Sequence, residues 1–474
     1  MRAGNLRATR AVVISDIHLA NGQPDMVSNP VVLTQFINQL PSLFPVDTQI
    51  NEKLELIIAG DFIDYLNIQE YSAWTVDPAQ AVRKLADVTD RSQFAPVFDA
   101  LAQHIQRGHR LTILLGNHDV ELALPQVQDA LLCRLGASPH EVLYVMDGRA
   151  YRLGSARIEH GNRYDDANAN DWTGLRAIVS ALSRNESPTV DLEISAGSKL
   201  VIKVVNPLKD TYPFVNLLQP VGEILLLLLL EFEPSLAWQV DMLGRLLNSK
   251  RLAERNKLGQ QPGATRNVSA QADAAREVPD DELLTLFGDT YRQLHSQASK
   301  NVAAGDVLSL LVRPGRDGLA AYFERQAPVP IERLRKIRAA LKRIIDNDKT
   351  DNLDIADGPC GAAAKRLLQS SEVQAVVMGH THLPRYYRCD DGVYLNSGTW
   401  IDRLRIPHRV LAEGAERELE AYLRDLKEDR RSPCPPTCAE LRIDETGAVR
   451  ASALHEVLLS QSNVALRTLK GATS

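Results

Sequence analysis

The sequence predicts an α/β fold, because apolar strands and amphipathic helices alternate along much of the chain. Short apolar runs rich in β-branched residues occupy residues 11–14, 54–59 and 111–115, as expected of buried strands, and a shorter strand is predicted over 157–160. Segments 30–40 and 93–106 repeat their apolar residues with helical spacing. This alternation of strands and helices is typical of a sheet that is covered by helices.

The same pattern returns near the other end of the chain. A helix is predicted over residues 361–370, followed by a strand over 373–378 and a further strand over 393–400. Residues 439–457 predict a β-hairpin that turns at 444–447, where the sequence is Asp-Glu-Thr-Gly. Both ends of the chain are therefore expected to contribute to one core.

Residues 164–356 have a different character, and we interpret them as a mainly helical insertion between two core segments, 8–163 and 357–474. An aliphatic run at 224–230 is far shorter than the roughly 18 apolar residues that span a membrane. Segment 331–343 carries six Lys or Arg residues and one Glu around helically spaced apolar positions. The ordinary interpretation of 224–230 is a buried helix, and the alternative is a site for an acyl chain. The ordinary interpretation of 331–343 is a solvated amphipathic helix, and the alternative is a site for phosphate or anionic lipid.

The composition is that of a globular chain of 474 residues, with 44% hydrophobic and 24% charged residues. A net charge of -6 and a pI near 6.0 give no overall attraction to nucleic acid, which is not an expected partner.

The five cysteines are odd in number and scattered, which favours reduced thiols in the cytoplasm. The close pair Cys434 and Cys438 lacks the second pair that a zinc site would need. No secretory segment precedes the first motif, so we expect a cytoplasmic protein. Such a protein could also associate peripherally with the inner face of the membrane.

Side chains that bind metals or move protons follow five of the predicted strands. In chain order, these side chains are Asp16 and His18; Asp61 and Asp64; Asn117, His118 and Asp119; His160; and His380 and His382. Five of the chain's eleven histidines belong to these clusters. Because catalytic groups in α/β proteins gather at the carboxyl ends of strands, the clusters predict one common site.

The clusters contain enough ligands for two divalent ions, which need a shared carboxylate between them. Asp61 is the expected bridge. The other six ligands divide between the ions, as Asp16, His18 and His382 for one and Asn117, His160 and His380 for the other. Mixed oxygen and nitrogen ligands favour manganese, iron, zinc or cobalt over calcium, and manganese is our first expectation.

His118 is not needed as a ligand in this assignment. A histidine beside two metal ions, paired with the adjacent Asp119, suits a general acid that protonates the departing alkoxide. Asp64 is expected to lie behind the ligands and to orient a ligand histidine or a loop.

The five motifs are Asp-x-His, Gly-Asp-x-x-Asp, Gly-Asn-His-Asp, a solitary His and Gly-His-x-His, in that order. Together they resemble the calcineurin-like metallophosphoesterases over about residues 8–163 and 357–460. The resemblance implies a four-layer αββα sandwich, with two central mixed β-sheets flanked by helices and a dinuclear metal centre at the rim. It also implies hydrolysis of a phosphodiester, pyrophosphate or phosphomonoester by a metal-bridging hydroxide, with metal and acid roles at the positions named above.

Segments 159–165 and 379–385 are most similar to the branch that contains UDP-2,3-diacylglucosamine pyrophosphatases. That likeness marks Arg163 and Arg385 as candidate substrate contacts. The branch usually has Arg where this chain has His118, and its enzymes are about half as long. The expected partner is a small phosphoester or pyrophosphate, which the insertion could select as an amphiphile at an anionic membrane.

Three other functions remain open at the level of sequence. A phosphoprotein phosphatase would use the same metal centre, but its flanking sequences have no close match in this chain. A nuclease would also use the centre, but it would be expected to have a basic groove. A scaffold without catalytic activity would be expected to have lost ligands or the acid, whereas this chain keeps all of them.

Overall fold

The computed structural model describes residues 7–22, 25–68, 71–209, 211–214, 217–218, 318–346, 351–428, 433–460 and 463–473. The chain forms two compact units. The core unit comprises Met1–Ser198, Lys349–Arg405 and Ser432–Ser474, and the second unit comprises Lys199–Asp348 and Ile406–Arg431.

The boundaries of these units differ from those of the domains that the sequence predicts. Residues 164–198 group with the core unit, and residues 406–431 group with the second unit. The division into a core and an insertion at 164–356 stays a prediction. The aliphatic run at 224–230 lies outside the described residues.

A mixed seven-stranded sheet forms one half of the core unit, in the order β12-β11-β10-β1-β2-β3-β4. Its strands are β1 (Thr9–Ile14), β2 (Lys53–Ala59), β3 (Arg110–Leu114), β4 (Val142–Val145), β10 (Thr437–Ile443), β11 (Val449–Ser460) and β12 (Asn463–Thr473). Strands β1 to β4 are parallel, and β10, β11 and β12 continue the sheet antiparallel to their neighbours. The carboxyl ends of β1, β2 and β3 therefore lie side by side.

A mixed five-stranded sheet has the order β5-β6-β7-β9-β8. Its strands are β5 (Tyr151–Leu153), β6 (Ala156–Ile158), β7 (Ala375–Met378), β8 (Arg385–Cys389) and β9 (Gly392–Asn396). Strands β6, β7 and β9 are parallel, whereas β5 and β8 run antiparallel at the edges. This pairing joins residues before and after the long segment between His160 and Ala375, which is why both ends of the chain belong to one core.

The helices of the described residues are α1 (Pro30–Leu43), α2 (Pro78–Thr89), α3 (Ala95–Gln106), α4 (Pro125–Leu135), α5 (Trp172–Ser183), α6 (Ala196–Leu200), α7 (Asn206–Lys209), α8 (Leu319–Glu324), α9 (Ile331–Asp346), α10 (Gly358–Leu368) and α11 (Glu416–Lys427). Among the described residues, 3-10 turns occupy Tyr65–Asn67, Val120–Ala123, Asn162–Tyr164 and His408–Leu411, and a π-helical turn occupies Val201–Val205. Local signals set several boundaries. At α2, for example, Asp77 accepts a hydrogen bond from the backbone of Ala79, and Pro78 fills the first helical position.

Alternating residues of the strands divide the core unit into layers. One face of the seven-stranded sheet packs with α1 to α5 through residues that include Val12, Ile14, Leu56, Ile58, Leu111 and Ile113. Its other face packs on the five-stranded sheet through residues that include Ala11, Val13, Ile57, Ile158, Val377 and Leu395. Helix α10 covers the far side of the five-stranded sheet through Cys360, Ala363, Ala364 and Leu368. The predicted αββα sandwich is confirmed.

Four strands are absent from the sequence-based assignment, and all four are edge strands. Strands β4 and β12 are the two edges of the larger sheet, and β5 and β8 are the edges of the smaller one. Edge strands are partly exposed and need no continuous apolar run, so they lack the signal that identifies central strands. One predicted strand is too long, since 393–400 is extended only to Asn396 at the end of β9.

In the second unit, the basic segment predicted at 331–343 is the amphipathic helix α9. Its apolar residues Leu334, Ile337 and Leu341 are buried. Its Arg338 bonds to Glu416 of α11 through Nε and Oε1 at 3.2 Å, and Lys342 pairs with Asp346 at 2.7 Å. Ordinary packing thus accounts for the apolar stripe. No helix among the described residues combines the length and apolar content required to cross a membrane.

Candidate metal centre

The backbone takes an unusual conformation at five predicted metal ligands. Asp16, His18, Asp61, His380 and His382 have φ values of 54°, 52°, 51°, 67° and 59°. Among the described residues, eight non-glycine residues have positive φ, and these five are the majority. Left-handed backbone is unfavourable for residues with a Cβ and is concentrated at functional sites. The surrounding structure therefore holds these side chains at a backbone cost.

Glycines make room for these side chains. A Cβ on Gly60, which has a φ of 89°, would lie 2.6 Å from the ring of His160. A Cβ on Gly116 would collide with the carboxylate of Asp61. The two glycines of the Gly-Asp and Gly-Asn-His-Asp motifs are thus required by close approach, and not only by turn geometry.

One group of candidate ligands consists of Asp16, His18 and His382, which offer atoms within 4.8 Å of one another. His382 Nε2 lies 3.2 Å from Asp16 Oδ1 and 3.3 Å from His18 Nε2. Asp16 and His18 are buried, whereas the His382 side chain is 23% exposed. These are the three residues predicted for the first ion.

A second group consists of Asp16, Asp61 and His160, again with ligand atoms within 4.8 Å. His160 donates from Nδ1 to the carbonyl oxygen of Ala59 at 2.8 Å, which directs Nε2 to the acidic side chains. Nε2 is buried and has no hydrogen-bond partner among the described residues. The Oδ1 atom of Asn117 is also buried without such a partner. Buried polar atoms are normally bonded, so both atoms fit metal ligands.

Asp61 belongs to the second group and also faces His18 of the first group. Its Oδ2 is 3.6 Å from His18 Nε2 and 3.2 Å from His160 Nε2. Its Oδ1 accepts a hydrogen bond from the backbone nitrogen of His118 at 2.8 Å, which fixes the carboxylate plane. A carboxylate in this position can contact cations on both sides, as the predicted bridge requires.

His380 is held by a residue to which the sequence assigned no role. Its Nε2 donates to Asp165 Oδ2 at 3.0 Å, and its ring centroid lies 5.3 Å from that of His160. The described residues form one further such group, His18, Asp64 and His118, and none of the three groups contains His380. If His380 binds a metal, Nδ1 is the atom that remains for it, because Nε2 bonds to Asp165. A histidine that couples a carboxylate to a metal is a common arrangement.

The charges of the site favour cations. Burial acts to raise the pKa of Asp16, but the neighbouring His382 outweighs it and lowers that pKa to about 2. Burial also opposes ionisation of Asp61, yet His160 and His118 hold its pKa well below the usual range. Burial disfavours a charged His160, but the charge of Asp61 raises the pKa of His160 to about 10. Positive charge is thus stabilised here, and a bound metal would replace the proton on His160.

His118 is paired with Asp64 and not with Asp119. Its Nδ1 donates to Asp64 Oδ1 at 2.8 Å, and its side chain is 14% exposed whereas that of Asp64 is buried. Burial acts to raise the pKa of Asp64, but His118 lowers it to a strongly acidic value. Asp64 therefore stays ionised and can stabilise a protonated His118. The second-layer position predicted for Asp64 fits these contacts, although the histidine that it bonds most closely is not a predicted ligand.

The predicted pairing of Asp119 with His118 is wrong. Asp119 is fully buried and accepts hydrogen bonds from the backbone nitrogens of Phe62 at 2.8 Å and Gly116 at 2.6 Å. Burial and the charge of Asp61 raise the pKa of Asp119 to about 7. Asp119 thus joins the Gly-Asp loop to the Gly-Asn-His-Asp loop. Adjacency in sequence misled the prediction because successive side chains of a turn point in different directions.

The two arginines proposed as substrate contacts differ in their surroundings. Arg163 follows His160 by three residues, is 38% exposed, and donates to the carbonyl oxygen of Gly148 at 2.8 Å. Arg385 is buried and donates to the carbonyl oxygen of its neighbour Pro384 at 3.1 Å. The buried position of Arg385 does not support a direct substrate contact, whereas Arg163 stays a prediction.

A loop after β9 also shapes the site. The Oγ1 of Thr399 and the backbone nitrogen of Trp400 both donate to the carbonyl oxygen of Asp16, at 2.7 and 3.1 Å. Asn396 Nδ2 donates to the carbonyl oxygen of Gly379 at 2.7 Å. These bonds hold the Asp-x-His and Gly-His-x-His loops in their left-handed conformations. The small polar run that starts at Asn396 could have indicated a loop, but the sequence-based strand covered it.

The fold and the site together define an α/β sandwich with His and Asp groups that could bind metal. No protein-family model and no curated protein matches the chain. Among solved structures, the chain has a similarity to Vacuolar Protein Sorting 29 from Cryptosporidium parvum at 16% identity. The match covers 25% of this chain and 45% of that chain, with a TM-score of 0.15. A similarity at this level is no evidence of function. The evidence for a function comes from the geometry of the chain's own residues.

Proposed function

We propose that the chain is a metal-dependent phosphoesterase of the calcineurin-like superfamily with a dinuclear centre. The observation that carries the proposal is the position of Asp61 Oδ2, 3.6 Å from His18 Nε2 and 3.2 Å from His160 Nε2. A carboxylate placed between two sets of candidate ligands is what a pair of ions 3.5–4 Å apart requires. His160 Nε2, which faces the Asp61 carboxylate, and the buried Asn117 Oδ1, which has no hydrogen-bond partner among the described residues, support the same assignment.

The protein's own residues would divide the work. Two divalent cations, when bound, supply Lewis acidity toward phosphoryl oxygens and lower the pKa of water. Asp16, His18 and His382 would hold one cation, whereas Asn117, His160 and His380 would hold the other, with Asp61 shared. Manganese is the first metal to test, because mixed oxygen and nitrogen ligands suit it. The backbone bonds to Asp16 and Asp61 preorganise these ligands, so little rearrangement would accompany binding.

His118 would act as the general acid. The bond from its Nδ1 to Asp64 orients the ring and stabilises the imidazolium form. A protonated His118 could then transfer a proton to the leaving oxygen as the phosphorus–oxygen bond breaks. The His118–Asp64 pair thus has the arrangement of an acid with its orienting carboxylate.

The substrate is proposed as a phosphodiester, pyrophosphate or phosphomonoester. Purified protein would be analysed for bound metal, and then assayed with manganese on one phosphomonoester, one phosphodiester and one nucleotide-sugar pyrophosphate. We expect about two metal equivalents and turnover of at least one substrate. Protein that binds no divalent metal and cleaves none of the three would contradict the proposal.

A further inference from the structure

A fully buried ion pair lies below the loops that carry Asp64 and His118. Lys84 of α2 donates from Nζ to Glu121 Oε1 at 3.0 Å, and both side chains have no exposed surface. A buried pair of charges loses much hydration energy, and an apolar pair would often be at least as stable. Stability alone is therefore a weak explanation for its presence, and its contacts indicate another role.

The pair ties a surface segment to the interior. Lys84 Nζ also donates to the carbonyl oxygens of Ser72 and Ala73, at 3.1 and 3.2 Å. Glu121 Oε1 accepts a further bond from the backbone nitrogen of Thr75 at 3.2 Å. Three residues of this segment are thus bonded to two side chains that are shielded from water. Such bonds are stronger than equivalent bonds on the surface, because the local dielectric constant is low.

The same ion pair is connected to the loop that carries His118 and to the loop that carries Asp64. Glu121 belongs to the turn Val120–Ala123, which begins two residues after His118. Tyr65 follows Asp64 directly, and its ring centroid lies 5.1 Å from Lys84 Nζ, within range of a cation–π interaction. The backbone nitrogen of Tyr65 donates to the carbonyl oxygen of His118 at 3.1 Å. Lys84 and Glu121 are thus linked to both members of the His118–Asp64 pair.

We propose that Lys84 and Glu121 are positioning residues that hold the His118–Asp64 pair in the geometry for proton transfer. Neither residue is a member of a candidate ligand group in the described part of the chain, so they would act on the acid and not on metal binding. This inference rests on the proposed function of the site. A displacement of about 1 Å in a catalytic group can reduce turnover on the order of 100-fold, which gives such a clamp a measurable effect.

The test compares Lys84→Met with the parent on phosphate esters that share a phosphoryl group but differ in leaving group. We expect unchanged metal content, a loss of roughly 10- to 100-fold on poor leaving groups, and a small loss on good ones. Hydrogen exchange at the Thr75 and Tyr65 amides should become faster, because the bonds that hold them weaken. Glu52→Gln is the control, because it weakens the ion pair between a buried carboxylate and the partly exposed Arg442 at the other end of the sheet.

Several outcomes separate the possible explanations. Lys84→Met with parental leaving-group dependence would overturn the positioning role and leave the proposed function intact. Equal losses in Lys84→Met and Glu52→Gln would also overturn it, because both would then reflect stability. If Lys84→Met does not fold, the double variant Lys84→Met with Glu121→Met removes both charges and should show the same leaving-group effect. A parent without metal or activity would contradict the proposed function before any variant is compared.

Discussion

Two buried acidic residues flank β2, and their surroundings differ sharply. Glu52 immediately precedes the strand and is bonded by Arg442 through both carboxylate oxygens, at 3.1 Å each, and by the backbone nitrogen of Asp47 at 2.8 Å. Asp61 follows the strand by two residues and faces the nitrogens of His18 and His160 at 3.6 and 3.2 Å. Its backbone is left-handed.

The difference distinguishes a structural charge from a functional one. Glu52 has a complete set of partners within the chain, so its burial needs nothing further. Asp61 is surrounded by other ligand-type groups, and the histidine nitrogen nearest to it has no hydrogen-bond partner among the described residues. Left-handed backbone at several ligand-type side chains is therefore a better marker of the site than acidity or burial alone.

Among the substitutions, we expect the largest effect on metal binding and turnover at Asp61. Replacement by Ala should abolish binding of both metal ions and reduce turnover to background, because Asp61 Oδ2 faces both His18 Nε2 and His160 Nε2, at 3.6 and 3.2 Å. Elemental analysis of dialysed protein measures this directly. Glu52→Gln is the control and should retain parental metal content while losing about 1–2 kcal/mol of unfolding free energy. One full metal equivalent with normal turnover in Asp61→Ala would contradict the bridging assignment.

A smaller effect is expected at His118. His118→Asn should keep bound metal and lose on the order of 10²–10⁴ in turnover on substrates with poor leaving groups. Substrates with good leaving groups need little protonation and should be affected less. Steady-state kinetics on a series of aryl and alkyl esters, with metal analysis of the same samples, makes the measurement. Equal losses across the series, or loss of metal, would mean that His118 is a ligand or a structural residue.

Asp165 tests whether His380 depends on its carboxylate partner. Asp165→Asn should weaken the affinity for one of the two ions by roughly 10- to 100-fold, because the Nε2 bond that orients the ring is weakened. Titration with manganese after complete chelation would resolve two classes of site. Parental affinity at both sites would show that His380 is held adequately by the rest of its loop.

Asp119 should affect folding more than chemistry. Asp119→Asn replaces one acceptor oxygen by a donor that faces a backbone nitrogen of Phe62 or Gly116, and a buried unsatisfied group costs about 1–3 kcal/mol. The denaturation midpoint should fall, while the dependence of turnover on leaving group stays parental. A leaving-group effect as large as that of His118→Asn would restore Asp119 to the catalytic pair.

Central strands were predictable because they are buried on both faces. Most residues of β1, β2 and β3 are apolar, and the ends of these strands are followed by polar residues that need a partner when buried. Edge strands escaped prediction for the opposite reason. A strand such as β8, with sequence Arg-Tyr-Tyr-Arg-Cys, is extended because β9 pairs with it, and its own sequence has no apolar run.

The sequence by itself determined the class of fold and the candidate metal ligands, because both follow from local rules. Buried parallel strands need apolar runs, and metal-type side chains that end such runs must gather at one edge. Only the tertiary structure decided which side chains bond to one another. It assigned Asp64 to His118, Asp165 to His380, and Asp119 to two backbone nitrogens. Those choices depend on side-chain directions in left-handed loops and on contacts across as many as 215 positions of the chain. Such contacts leave no periodic signal in the sequence.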